Sequence, residues 1–275
     1  MKVQTALQQG CGLLEGAGVP VARLTAEVLL GYALGRERAY LYAHPEEELT
    51  DLVRVRYEGC LDQRVQGKPT QYITRQQEFY GREFFVDADV LIPRPETEHV
   101  VETALEVARD ARRVVDVGCG SGAIAVTLNL EMRAAVCATD VSLPALKVAR
   151  RNAKKLGAQV HFVACDLVSA IAPASVDLVV SNPPYVPLSD MQGLQREVRD
   201  FEPHVALFAG PTGLEIYERL VVESERVLWP GGALVVELGF KTSEAVRGML
   251  GSRWREVRIV PDLAGIPRVL AAKLA

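Results

Sequence analysis

From about residue 96 onward the chain alternates extended and helical patterns without a break, and this alternation constrains its fold more than any other feature. Strand candidates lie at 113–117, 135–139, 160–164, 176–181, 233–238, 256–260 and 268–273, with helices near 97–110, 122–131, 143–156, 215–228 and 242–250. Strands separated by helical crossovers run parallel and are covered on both faces. The last two strand candidates are joined only by Pro261-Asp262-Leu263-Ala264-Gly265-Ile266-Pro267. That connection is too short for a crossover helix, so these two should pair antiparallel at the end of the sheet. The expectation is an α/β domain over 96–275 with a seven-stranded, mostly parallel sheet.

Residues 1–75 read differently. Leu24, Val28 and Tyr32 recur at four-residue spacing, and Gly18-Val19-Pro20, Gly35 and His44-Pro45 cut the segment into short helices. A small helical bundle is expected there. Between the two regions, over 76–95, Phe79-Tyr80-Gly81-Arg82 and Phe84-Phe85-Val86-Asp87 suggest two short strands across a glycine turn, a hairpin linker.

Composition excludes several function classes. The net charge is −4, and residues 1–75 balance nine Lys/Arg against nine Asp/Glu, so no general nucleic-acid footprint is present. The five cysteines are scattered with no Cys-x-x-Cys, and the four histidines have no ligand spacing; a reduced cytoplasmic setting and no metal are expected. No run of about 18 apolar residues suggests a membrane span.

The first strand of the α/β region runs into Asp116-Val117-Gly118-Cys119-Gly120-Ser121-Gly122 and then a helix. Glycines at this place let the backbone turn tightly and approach a ligand. Gly118, Gly120 and Gly122 form Gly-x-Gly-x-Gly, which differs from the dinucleotide-binding fingerprint. Asp140 ends the second strand, 22 residues after Gly118, where a carboxylate can accept from both hydroxyls of a ribose. Asp166, at the end of the third, could accept from the exocyclic amine of adenine or simply cap a helix. Three acidic strand ends around one glycine loop point to an adenosine-containing cofactor at the switch point of the sheet.

The fourth strand ends in Asn182-Pro183-Pro184-Tyr185, the most specific signal in the chain. Two prolines fix the backbone and remove two donors, so the Asn182 side-chain oxygen and the Pro183 carbonyl can both face a ligand as acceptors. A planar nitrogen bearing two hydrogens fits them, and Tyr185 offers a flat surface. Turn chemistry without catalysis is the alternative reading of the same residues.

This Asn-Pro-Pro-Tyr sequence resembles the signature of class I, Rossmann-like methyltransferases that modify planar nitrogens in DNA, RNA or protein. Leu91-Ile92-Pro93-Arg94-Pro95-Glu96-Thr97-Glu98, Phe201-Glu202-Pro203, Asp262-Leu263-Ala264-Gly265 with Arg268, and Gly67-Lys68-Pro69-Thr70-Gln71-Tyr72-Ile73 extend the likeness over nearly the whole chain. Together they resemble the HemK/PrmC release-factor glutamine methyltransferases. The resemblance implies S-adenosylmethionine as cofactor, with S-adenosylhomocysteine as product, and class I peptide-chain release factors as protein substrates, methylated on the glutamine of a Gly-Gly-Gln loop. It further implies an N-terminal substrate-recognition domain and cofactor contacts from Asp116, Gly118, Gly120, Gly122, Asp140, Asp166 and Asn182. Asn182, Pro183 and Tyr185 would be catalytic, and Asn182, Pro183, Pro184 and Tyr185 would line the acceptor. Leu167 stands where many relatives carry an aromatic residue, and whether Arg94, Glu96 and Glu98 touch substrate or brace the hairpin is open. Two other readings remain at this point: an adenine or guanine amino-methyltransferase, since a flipped base presents the same NH2, and a non-catalytic adenosine-binding module.

Overall fold

A computed structural model describes residues 1–275 and divides them into two compact units, Met1–Gln76 with Gln195–Phe201, and Gln77–Leu194 with Glu202–Ala275. The first unit contains α1 (Val3–Gly16), α2 (Ala22–Leu34), α3 (Arg38–Ala43), α4 (Asp51–Val65) and α5 (Thr70–Thr74). Its core is built from Val3, Leu7 and Leu14 of α1, Ala26, Leu29 and Leu30 of α2, and Tyr57 and Leu61 of α4. The stripe read from the sequence identifies α2 correctly but not its inner face. Leu24 and Tyr32 are exposed, whereas Ala22, Ala26, Leu29, Leu30 and Ala33 are buried. The reason is that α2 carries apolar residues around most of its circumference, so spacing alone cannot choose a side. Glu27 of the same helix is buried under hydrogen bonds from Arg23, Arg38 and Tyr42; burial opposes its charge, but these partners hold its carboxyl at about 2.

In the larger unit, β1 (Gln76–Phe79) and β2 (Arg82–Phe85) form a hairpin around Tyr80-Gly81. The strands lie a few residues earlier than the sequence suggests, because Tyr80 and Gly81, both at positive φ, occupy the turn. Phe79 and Phe84 are fully buried in the core of this unit and meet edge to face at 6.0 Å, so the hairpin is packed structure. Each such ring stabilises by about 1.5–3 kcal/mol through its burial.

The central sheet comprises β3 (Arg113–Val117), β4 (Ala135–Asp140), β5 (Val160–Ala164), β6 (Val176–Ser181), β9 (Leu228–Glu237), β10 (Trp254–Pro261) and β11 (Pro267–Leu274), in the order β10-β11-β9-β6-β3-β4-β5. The short strands β7 (Val186–Pro187) and β8 (Phe208–Gly210) pair apart from it. As expected, β10 and β11 pair antiparallel at one end, and β11 inserts antiparallel against β9 while the remaining neighbours are parallel. Consecutive residues of the inner strands feed opposite cores. Val114, Leu178, Val180 and Val235 pack under α6 (Glu98–Val107), α7 (Ala123–Glu131) and α8 (Leu143–Leu156). Val115, Val179, Leu234 and Val236 pack under α10 (Glu215–Val227) and α11 (Ser243–Met249). Near-continuous apolar strands are the consequence of covering both faces. A further helix, α9 (Arg196–Phe201), groups with the first unit, where Glu197 accepts from Arg64 at 2.5 Å.

Topology places the site. The chain builds outward from β3 to β4 and β5, then returns to lay β6 on the other flank of β3, so the carboxyl ends of β3 and β6 bound the switch point.

Candidate active site

Parallel register puts the two motif loops side by side. Val117 is paired with Ser181, so Gly118 and Asn182 leave the sheet from neighbouring strands, and Ser181 Oγ ties them by donating to the Val117 carbonyl at 2.7 Å. On the other flank Val117 faces Thr139, whose carbonyl accepts from the N–H groups of both Gly118 and Cys119 at 2.9 Å. Gly118, Gly120 and Gly122 all have positive φ, which explains the residue type. Space separates their roles. A Cβ on Gly118 or Gly120 would meet nothing within 4 Å, whereas one on Gly122 would lie 3.1 Å from the Ala149 Cβ of α8. Gly122 serves helix packing, and the other two leave an open approach to the backbone.

Asp140 is half-buried and already engaged. One carboxylate oxygen accepts from Gly120 N–H at 2.9 Å and the other from Ser142 N–H at 2.8 Å, so this side chain holds the glycine loop and the start of α8 in register. Asp116 is fully buried; Oδ2 accepts from Ala125 N–H at 3.0 Å and Oδ1 has no protein partner. Burial pushes its carboxyl up to about 7. Asp166 is exposed at the end of β5, and its Oδ2 accepts from Arg219 at 2.6 Å. Leu167 adopts positive φ and packs against the core beneath α10.

At the end of β6, Asn182 and Tyr185 converge on one carboxylate. The Asn182 amide nitrogen donates to Thr97 Oγ1 at 3.0 Å, and Thr97 donates to Glu237 Oε2 at 2.6 Å. Tyr185 donates to the other oxygen, Glu237 Oε1, at 3.3 Å. Thr97 and Glu237 are both buried, and burial raises the Glu237 carboxyl to about 7. Burial, and then the charge of Glu237, push the Tyr185 phenol well above its usual range. The register explains the meeting: Ser181 pairs with Val236, which sets Glu237 beside Asn182. Tyr217 of α10 closes the back of the group, donating to the Glu237 carbonyl at 2.8 Å and accepting from Gly239 N–H at 3.0 Å. Gly239 is glycine because a Cβ there would stand 2.8 Å from the Tyr185 ring.

Sequence reasoning singled out Asn182, Pro183, Pro184 and Tyr185 but missed Thr97 and Glu237. A signal existed: Glu237 is the one acid in the apolar run Ala233–Leu238. Arg94, Glu96 and Glu98 each have a partner within the protein. Arg94 pairs with the buried Glu202 at 2.6 Å, Glu98 accepts from Tyr80 N–H at 2.8 Å at the hairpin turn, and Glu96 lies 3.9 Å from Arg268. Arg94 and Glu98 thus brace the chain around the site.

Residues 5–74 match the family model of the PrmC N-terminal domain, and residues 97–196 match the methyltransferase small domain. A release factor glutamine methyltransferase from Koribacter versatilis is 46% identical over 99% of both chains. The chain belongs to this family. The release factor glutamine methyltransferase of Bacillus subtilis is 42% identical over 90% of this chain and 90% of its own. Among solved structures, a methyltransferase from Pyrococcus furiosus superposes with a TM-score of 0.54 over 71% of this chain and 90% of that one, at 17% identity. A Thermus thermophilus 16S rRNA guanine methyltransferase, solved with AdoMet and guanosine, gives 0.51 at 18% identity over 73% of this chain and half of its own. These likenesses establish the class I methyltransferase fold. Family membership makes the protein a methyltransferase.

Proposed function

We propose that the protein transfers a methyl group from S-adenosylmethionine to the side-chain amide nitrogen of the glutamine in the Gly-Gly-Gln loop of peptide-chain release factors. The observation that carries this reading is the adjacency of the Asn182 loop and the glycine loop on paired strands, in a chain that matches release factor glutamine methyltransferases over nearly its full length.

The residues around the glycine loop fit an adenosylated cofactor. Open space at Gly118 and Gly120 admits it against the backbone, Asp140 keeps further lone pairs for two ribose hydroxyls, and Asp166 stands at the next strand end for the adenine amine. Asp116 supports this loop from below through Ala125, with Oδ1 available to a polar partner, and Gly122 fixes the helix behind it. Bound there, the cofactor supplies an electrophilic methyl on its sulfonium.

The acceptor needs help from the protein, because the lone pair of an amide nitrogen is delocalised into its carbonyl. Asn182 Oδ1 and the Pro183 carbonyl accept its two N–H groups, which orients the nitrogen and stabilises the positive charge that develops on it. Pro184 holds the turn and Tyr185 provides a wall for the flat amide. The proton leaves after transfer. The helical unit presents the protein-binding surface, and the free cysteines suit the reducing cytoplasm in which release factors work.

Incubation with labelled cofactor and a release factor, followed by peptide mass spectrometry, tests the reading. One methyl on the loop glutamine is expected, none on DNA or RNA, and none on a release factor whose glutamine is replaced by glutamate. Methylation of nucleic acid at a comparable rate would refute it.

A further inference from the structure

An amide side chain has two nearly identical ends, and the proposed chemistry works with only one of them turned inward. If the Asn182 nitrogen faced the acceptor, donor would meet donor. The polarity of Asn182 therefore requires its own cause. Glu237, when ionised, can only accept, so the single hydroxyl proton of Thr97 is committed to it at 2.6 Å. Thr97 Oγ1 is then left with acceptor capacity alone, and the group 3.0 Å away on Asn182 has to be the nitrogen. Oδ1 consequently points away from Thr97, toward the acceptor side of the loop. The same carboxylate receives the Tyr185 hydroxyl at 3.3 Å, so one buried acid orients both the amide and the ring.

We propose that Thr97 and Glu237 are positioning residues that lock the Asn182 amide with its oxygen toward the acceptor, so that the pocket admits an NH2 and rejects a carboxylate. This rests on the reading of the acceptor as a glutamine amide. Neither residue touches substrate; both act through Asn182. Burial of Thr97 and Glu237 gives the lock its strength, since a buried polar group left without a partner is strongly disfavoured. The groups facing Glu237 are Thr97 and Glu96 from the turn that precedes α6, Tyr185 from the acceptor loop, and Arg268 from β11, with the Tyr217 hydroxyl on its backbone carbonyl. Protonation of Glu237 would let it donate to Thr97, freeing the threonine hydroxyl to donate toward Asn182 and reversing the amide.

The test compares wild type with Thr97→Ser, Thr97→Val and Glu237→Gln, using the full chain and a release factor substrate. Wild-type methylation of the loop glutamine is the control for the underlying reading; its failure would remove that reading, not the lock. Given that control, Thr97→Val should slow single-turnover methyl transfer about 100-fold, the loss seen when one preorganised polar contact to a reacting group is removed. Cofactor affinity by calorimetry should stay within about two-fold, and Thr97→Ser should restore transfer to within about five-fold. The variant should also lose discrimination: a release factor carrying glutamate in place of the loop glutamine should compete about ten-fold better, relative to the glutamine form, than it does with wild type. The wild-type transfer rate should fall as pH drops through about 7, and Glu237→Gln should remove that limb. A limb that survives unchanged in Glu237→Gln would overturn the role of Glu237. Transfer by Thr97→Val within three-fold of wild type, equal losses in Ser and Val, or an unchanged competition ratio would each overturn the lock.

Discussion

Replacing Asp140 by alanine should damage the protein twice, and the two effects can be measured separately. The carboxylate accepts backbone N–H groups from Gly120 at 2.9 Å and Ser142 at 2.8 Å before any ligand arrives. Hydrogen bonds to a charged group contribute about 1.5–3 kcal/mol each, and water at a half-buried position recovers part of that, so the net loss of folding stability should be about 2–3 kcal/mol. For a unit of this size each kcal/mol moves the melting midpoint by about 2–4 °C, which makes the drop readable by differential scanning calorimetry. The second effect is on the cofactor. Two ribose hydroxyls lose a charged acceptor, and at the lower end of the same range this weakens binding by about 3 kcal/mol, or roughly 150-fold. Asp140→Asn separates the contributions. It retains an acceptor for one backbone N–H but turns a donor toward the other, so it should lose stability as alanine does while weakening the cofactor less. Titration calorimetry with S-adenosylmethionine gives both affinities. An alanine variant that is folded, melts within a degree of wild type and binds within three-fold would show that Asp140 neither organises the loop nor reaches the ribose.

Three further outcomes are expected. Asn182→Ala should lower the methyl-transfer rate by at least about 100-fold with cofactor affinity nearly unchanged, so rapid-quench kinetics and calorimetry should diverge. Asp116, raised by burial from the usual 3.8 to about 7, binds its proton more tightly folded than unfolded; its contribution to stability is full below about 4 and is lost as pH rises through 7. Melting curves of Asp116→Asn across that window should accordingly be flatter than those of wild type. Gly122→Ala, with Ala149 at 3.1 Å and φ of +80°, should lower the melting midpoint by about 3–8 °C, whereas Gly120→Ala, in open space, should weaken the cofactor more than it destabilises the fold.

The parallel sheet was legible because β3, β6 and the second half of β9 are short, mostly apolar and β-branched runs between helical segments. The Asn182 loop stood out because its motif is local: four consecutive residues make it. What lay hidden is contact between distant residues. Thr97 and Glu237 are 140 positions apart and meet through strand pairing that no spacing encodes. The inner face of α2 was hidden for the opposite reason, since too many of its residues are apolar for the pattern to choose. β7, β8 and α9 are too short to carry a period of either kind. Asp140 was correctly placed at a strand end, but its role in holding the glycine loop depends on the backbone N–H of Gly120, which no side-chain pattern reveals.

Asn152, a fully buried polar residue of α8, has a consequence for how such a protein can be cut and recombined. Its side chain pairs with both backbone groups of Phe85 in the hairpin, accepting at 2.8 Å and donating at 2.9 Å, and also donates to the Ser121 carbonyl of the glycine loop at 2.9 Å. The hairpin is therefore hydrogen-bonded to the same side chain that supports the glycine loop, although about 35 residues separate them along the chain. A gene fragment that began at the first strand of the central sheet would strip Asn152 of two partners and remove Phe79 and Phe84 from the core they fill. A fragment that keeps both the Asn152 contacts and the buried rings starts near residue 76.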